Sequence, residues 1–137
     1  MSVVRYVLVL YIILSFGILN AQAQDHWEAP AEADTLSNPY SLDDAEIIEK
    51  GSDLYVMLCA SCHGAQGDGQ GSAGQSSNPP PADFTKEKVQ QQSDGALFWK
   101  IWEGNPPAML SYKRMLDEEE VWQIVTYLRE FNPNENE

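Results

Sequence analysis

The chain has 137 residues, with 21 acidic side chains against 8 basic ones and a formal net charge of −13. That balance leaves no basic face for a nucleic-acid partner, and the length suits one domain. Two cysteines, Cys59 and Cys62, are the only ones in the chain.

The N-terminus has the pattern of a secretory signal. Arg5 is the only charge before Asp25, and an apolar run extends from Tyr6 to Leu19. Ala21-Gln22-Ala23 then places small residues at the −3 and −1 positions of a cleavage site, so residues 1–23 read as a signal peptide cut before Gln24. The alternative is an uncleaved anchor at residues 6–19, although that run is shorter than the roughly 20 residues that span a bilayer. Contact with a membrane is expected only in that case. Either way the rest of the chain lies outside the cytoplasmic membrane, and the periplasm of a Gram-negative bacterium is the expected compartment.

Residues 24–42 read as an acidic linker containing Pro30 and Pro39, with no steady apolar period. A domain is expected over 43–132, followed by a short tail at 133–137. The charge is uneven along it. Residues 24–53 carry nine acids and one base, 54–116 five of each, and 117–137 seven acids and one base. The acidic ends read as solvated surface.

Asp43 or Asp44 is the candidate cap of a helix to about Ala60. Ile47, Ile48, Gly51, Leu54, Tyr55 and Leu58 recur there at three- and four-residue spacing. Gly51 lowers helix stability by about 1 kcal/mol relative to alanine, and a close helix–helix crossing would account for it.

Cys59-Ala60-Ser61-Cys62-His63 follows. C-x-x-C-H is the pattern of c-type haem attachment. Each thiol can form a thioether with one vinyl group, two intervening residues put both sulfurs on one helical turn, and the next histidine can bind the iron axially. A thioredoxin-like dithiol would need a βαβ context, which is missing. A zinc site would want four ligands, and the chain adds only His26 from the linker. A disulfide across two residues would be strained.

Residues 64–81 read as a loop, with glycines at 64, 67, 69, 71 and 74 and Pro79-Pro80-Pro81 at its end. Gly69-x-Gly71-x-x-Gly74 matches a dinucleotide fingerprint in form alone, because no strand precedes it. A backbone packed along a flat cofactor is expected instead, with one of the three prolines offering its carbonyl to His63 Nδ1. Ser93 or Asp94 caps a short helix to about Glu103, which Gly104-Asn105-Pro106-Pro107 stops. Asp117 and Glu120 form a capping-box pair for a last helix, Leu116 and Val121 its staple, and Val121, Ile124, Val125 and Leu128 its apolar face. Glu118–Glu120 fit the positive end of that helix better than a metal site. No segment alternates as a strand does, so the chain reads as all-α.

An iron bound by His63 has a sixth position. Met57 lies on the attachment side, His26 lies in the linker, and Met115 beside the helix cap reads as core with Leu116. A lysine is a further candidate. Met109 follows Pro106-Pro107-Ala108, where a stiff backbone can present a thioether, and is the expected ligand.

These features together resemble the class I monohaem cytochromes c, particularly small bacterial periplasmic ones. The resemblance rests on the Cys59–His63 motif followed by Gly64, and on Gly51, Tyr55 and Cys59 at four-residue steps. It also rests on Ile124, Tyr127 and Leu128 in the last helix, and on Met109 seven residues before Leu116. Many members have proline after the methionine, where this chain has Leu110. The resemblance implies a cytochrome c fold of three to five helices around one covalently bound haem c, with the first and last helices crossing near Gly51 and Tyr127. It implies Cys59 and Cys62 as thioether donors and His63 and Met109 as axial ligands. It further implies one-electron transfer rather than catalysis, with redox proteins as partners: a dehydrogenase as donor, an oxidase or other acceptor, or a complex of which the chain is a subunit. The alternative function is a ligand-binding sensor or peroxidase-like protein with an open sixth site.

Overall fold

Asp44 starts the first helix by accepting two backbone N–H groups on Oδ1, from Glu46 at 3.1 Å and Ile47 at 3.3 Å. A computed structural model describes residues 27–133; the signal segment and His26 lie outside them. The helices are α1 (Ala45–Leu58), α2 (Ala60–His63), α3 (Glu87–Gln90), α4 (Asp94–Glu103) and α5 (Glu118–Leu128). One 3-10 turn, Ala31–Thr35, precedes them and another, Arg129–Phe131, ends the series. No strand occurs among the described residues, and one isolated bridge joins Asn105 to Met109. The fold is all-α.

The helix starts follow the sequence closely. Ser93 Oγ accepts from Ala96 N–H at 3.0 Å and opens α4. At α5 the capping box is complete: Asp117 Oδ1 accepts from Glu120 N–H and Glu120 Oε2 accepts from Asp117 N–H, each at 2.9 Å. Leu116 and Val121, the staple pair, are both buried in the core.

Helices α1 and α5 cross at Gly51. A Cβ at that position would sit 2.0 Å from the Gln123 carbonyl oxygen and 2.9 Å from Tyr127 Cβ. Only glycine lets the two backbones approach this far. The crossing buries Tyr55, Val121, Ile124 and Val125 completely or nearly so. Phe98 on α4 stacks on Trp122 of α5, with ring centroids 4.3 Å apart. Helix α4 therefore closes the core from a second side.

A part-buried ion pair ties the far end together. Arg129 Nε donates to Asp94 Oδ1 at 2.9 Å, and its other nitrogens donate to the carbonyls of Gln90 and Gln92. The segment that composition reads as a linker is laid on the domain from Trp27 onward. Ser93 Oγ donates to Asp34 Oδ1 at 2.5 Å. Asn38 Nδ2 donates to Asp94 and Thr126 side chains. Trp27 and Trp99 lie 6.5 Å apart, with Lys100 Nζ 5.4 Å from the Trp27 ring.

Candidate functional site: the Cys59–His63 turn and the Met109 loop

Cys59 interrupts the helical run between α1 and α2, and the turn it begins carries the motif. Cys62 N–H and His63 N–H both donate to the Cys59 carbonyl, at 3.1 Å and 2.9 Å. Residues three apart on such a turn share a face, so the two thiols point the same way. Both are free and half-buried. Burial, with Cys62 adding to it, pushes the Cys59 thiol up to about 12.

The glycine-rich loop runs back along the Cys59–His63 turn. It packs on the motif's own backbone. Ala73, Gly71 and Gly69 donate their N–H groups to the carbonyls of Ser61, Cys62 and His63, at 3.0, 3.1 and 2.8 Å. These carbonyls end a helix and lack helical partners. A Cβ at Gly71 would lie 2.4 Å from the Ser61 oxygen, so a side chain there would break this contact. Tyr55, one helical turn before Cys59, donates its buried hydroxyl to the Gly64 carbonyl at 2.7 Å. The motif is thus held at both ends.

His63 Nδ1 lies 3.0 Å from the Ala82 carbonyl oxygen. A carbonyl only accepts, so Nδ1 carries the hydrogen and Nε2 keeps its lone pair. The partner is Ala82 and none of Pro79, Pro80 and Pro81; the Pro81 carbonyl oxygen faces Gly69 instead. Phe84 stacks on the imidazole, with centroids 4.7 Å apart. Burial holds His63 below its ordinary value of 6.5, and the Ala82 bond opposes that shift. A neutral imidazole with a free Nε2 is the form a metal takes.

Met109 sits in a loop closed by its own backbone. Asn105 N–H donates to the Met109 carbonyl at 2.8 Å, and Met109 N–H donates to the Asn105 carbonyl at 3.0 Å. Its side chain is half-buried against the core cluster. Met57 and Met115 are 74% and 56% exposed. Met115 was expected in the core, but Leu116 alone fills that place, since the turn into the α5 cap directs the two neighbours oppositely. Lys100, the half-buried lysine, is turned to Gln92 and Trp27.

Three residues of this site have roles that their place in the sequence does not announce. Ala82 gives no signal, because its role is a backbone oxygen. Phe84 and Tyr112 are aromatics in irregular segments, where periodicity says nothing.

A sequence profile of the cytochrome c family matches residues 48–132. The chain belongs to the cytochrome c family. Among solved structures, the KustC0563 c-type cytochrome is 30% identical with a TM-score of 0.51. The similarity covers 60% of this chain and 96% of that one. No curated protein sequence matches.

Cytochromes c bind haem c covalently and use it for electron transfer. The donor set here fits that group. Two free thiols share a face of one turn, and a neutral imidazole next to them has its tautomer fixed by Ala82. The glycine loop holds the backbone beneath them. Cys59 and Cys62 stand in the attachment spacing, with His63 adjoining.

Proposed function

We propose that this cytochrome c moves one electron at a time through a single haem ligated by His63 and Met109. It serves as a periplasmic carrier, or as the cytochrome subunit of a respiratory or dehydrogenase complex. The observation that carries the reading is Met109, the half-buried methionine, in a loop closed by the Asn105 pair. A thioether fixed this way competes well for iron, because little freedom is lost on binding. Bound haem supplies a reversible one-electron couple. His63 orients through Ala82, Phe84 covers the imidazole face, and the Met109 loop excludes external ligands. With His63 and Met109 both holding the iron, no site would be open for a substrate. A dehydrogenase as donor and an oxidase as acceptor suit such a carrier. Their docking should be weak and small in area, because turnover requires fast release.

The test is ligand access. Reduced wild-type protein should keep its spectrum under carbon monoxide. Met109→Ala should bind carbon monoxide and show a lower reduction potential, and Met115→Ala should behave as wild type. Reversed behaviour of the two variants would transfer the ligand role to Met115. Prompt binding by the wild type would mean an open sixth site and a sensor or peroxidase-like protein.

A further inference from the structure

Tyr112 stands three residues after Met109 and is half-buried. Its hydroxyl donates to the Leu58 carbonyl at 3.0 Å. Leu58 ends α1 and immediately precedes Cys59. The bond therefore joins the methionine loop to the start of the attachment motif across 54 residues of sequence.

Other bonds hold the same loop, but they run elsewhere. Ser111 Oγ donates to the Trp102 carbonyl at 2.7 Å, and Tyr112 N–H donates to the Ile101 carbonyl at 3.3 Å. Both secure the loop to α4. Met115 N–H and Leu116 N–H donate to the Tyr112 carbonyl, at 2.8 and 2.9 Å, and lead into α5. Of these bonds, the phenol's alone reaches the motif. Burial, with Cys59 and Cys62 nearby, pushes the Tyr112 phenol up to about 12, so it remains a neutral donor at ordinary pH.

We infer that Tyr112 is a positioning residue for Met109, setting through Leu58 the separation between the methionine loop and the attachment turn. With Met109 on the iron, the haem would be held between the two. This rests on Met109 being the iron ligand. Without the phenol, the loop swings out more often and an external ligand takes the iron more easily.

Ferric holoprotein titrated with imidazole, followed by absorbance, tests the role. Tyr112→Phe keeps the ring and removes the bond, and its imidazole association constant should rise about three- to tenfold, the worth of one net hydrogen bond. Tyr112→Leu gives the same reading should Tyr112→Phe accumulate poorly. Asn38→Ala removes bonds to Asp94 and Thr126 that touch neither loop nor motif. It should lower the Tm and leave imidazole affinity unchanged. Wild-type affinity in the Tyr112 variants, or an equal rise in Asn38→Ala, overturns the positioning role. Met109→Ala separates the two levels. If it binds imidazole more tightly than wild type while Tyr112→Phe does not, only the role of Tyr112 falls. If Met109→Ala binds no more tightly than wild type, the ligand assignment falls and takes this role with it.

Discussion

His63 illustrates how one residue's chemistry is set by neighbours that sequence spacing does not announce. The motif names the histidine, but its tautomer depends on a carbonyl 19 residues away, at Ala82. Burial disfavours the imidazolium and holds the folded value below 6.5, and the Ala82 bond only partly offsets this. The sign follows from linkage. A base whose value is depressed on folding contributes stability that is fully present above the unfolded value and lost as pH falls through the folded one. Protonation would also occupy Nε2, the nitrogen available to iron. Iron on Nε2 would oppose the same protonation, so acid titration of the ferric holoprotein should keep its spectrum from neutral pH down through 6.5 and lose the His63 ligand only below. A ligand-loss transition at or above 6.5 would show that neither burial nor the iron keeps the proton off Nε2.

At the scale of elements, the crossing of α1 and α5 is the decisive contact, and Gly51 makes it. In an exposed helix, Gly→Ala stabilises by about 1 kcal/mol. Here the new methyl would meet the Gln123 carbonyl at 2.0 Å, and that oxygen belongs to backbone that cannot swing aside. Overpacking of this kind costs about 1–3 kcal/mol. Gly51→Ala should lower unfolding stability by an amount in that range in a denaturant melt of the holoprotein, and a gain in stability would contradict the close crossing. The helix ends were readable because caps are local: Asp44, Ser93 and the Asp117–Glu120 box each act within three residues. The one-turn helix α3 was not readable, since four residues carry no period. The glycine loop was readable as a loop, but its use was not. Which carbonyls its N–H groups would meet depends on how the loop folds back over the motif.

For the whole molecule, the core is small, and the haem that the family attaches supplies apolar surface that side chains alone lack. Cys59→Ala with Cys62→Ala should abolish covalent haem, as read on a denaturing gel stained for haem. It should also leave the chain largely unfolded by circular dichroism. A folded, haem-free double variant would mean that the packing of α1, α4 and α5 suffices alone. The N-terminal segment adds to this packing. Composition describes residues 24–42 as polar and proline-containing, which is true of their sequence. Yet Trp27, Asp34 and Asn38 find partners on α4, its cap Ser93 and α5, and those partners lie 59 or more residues away for Asp34 and Asn38–Thr126.

The sequence by itself determined what acts over a few residues. It set the attachment motif, the helix caps, the apolar faces and the glycine that permits a crossing, because each depends on spacing along one element. It also singled out Met109, through the stiff prolines before it. Only the tertiary structure decided the contacts between distant segments: Ala82 on His63, Tyr112 on Leu58, Arg129 on Asp94, and the N-terminal segment on α4. These are hydrogen bonds, an ion pair and ring contacts between segments far apart in the chain. Their geometry exists only once the helices have packed.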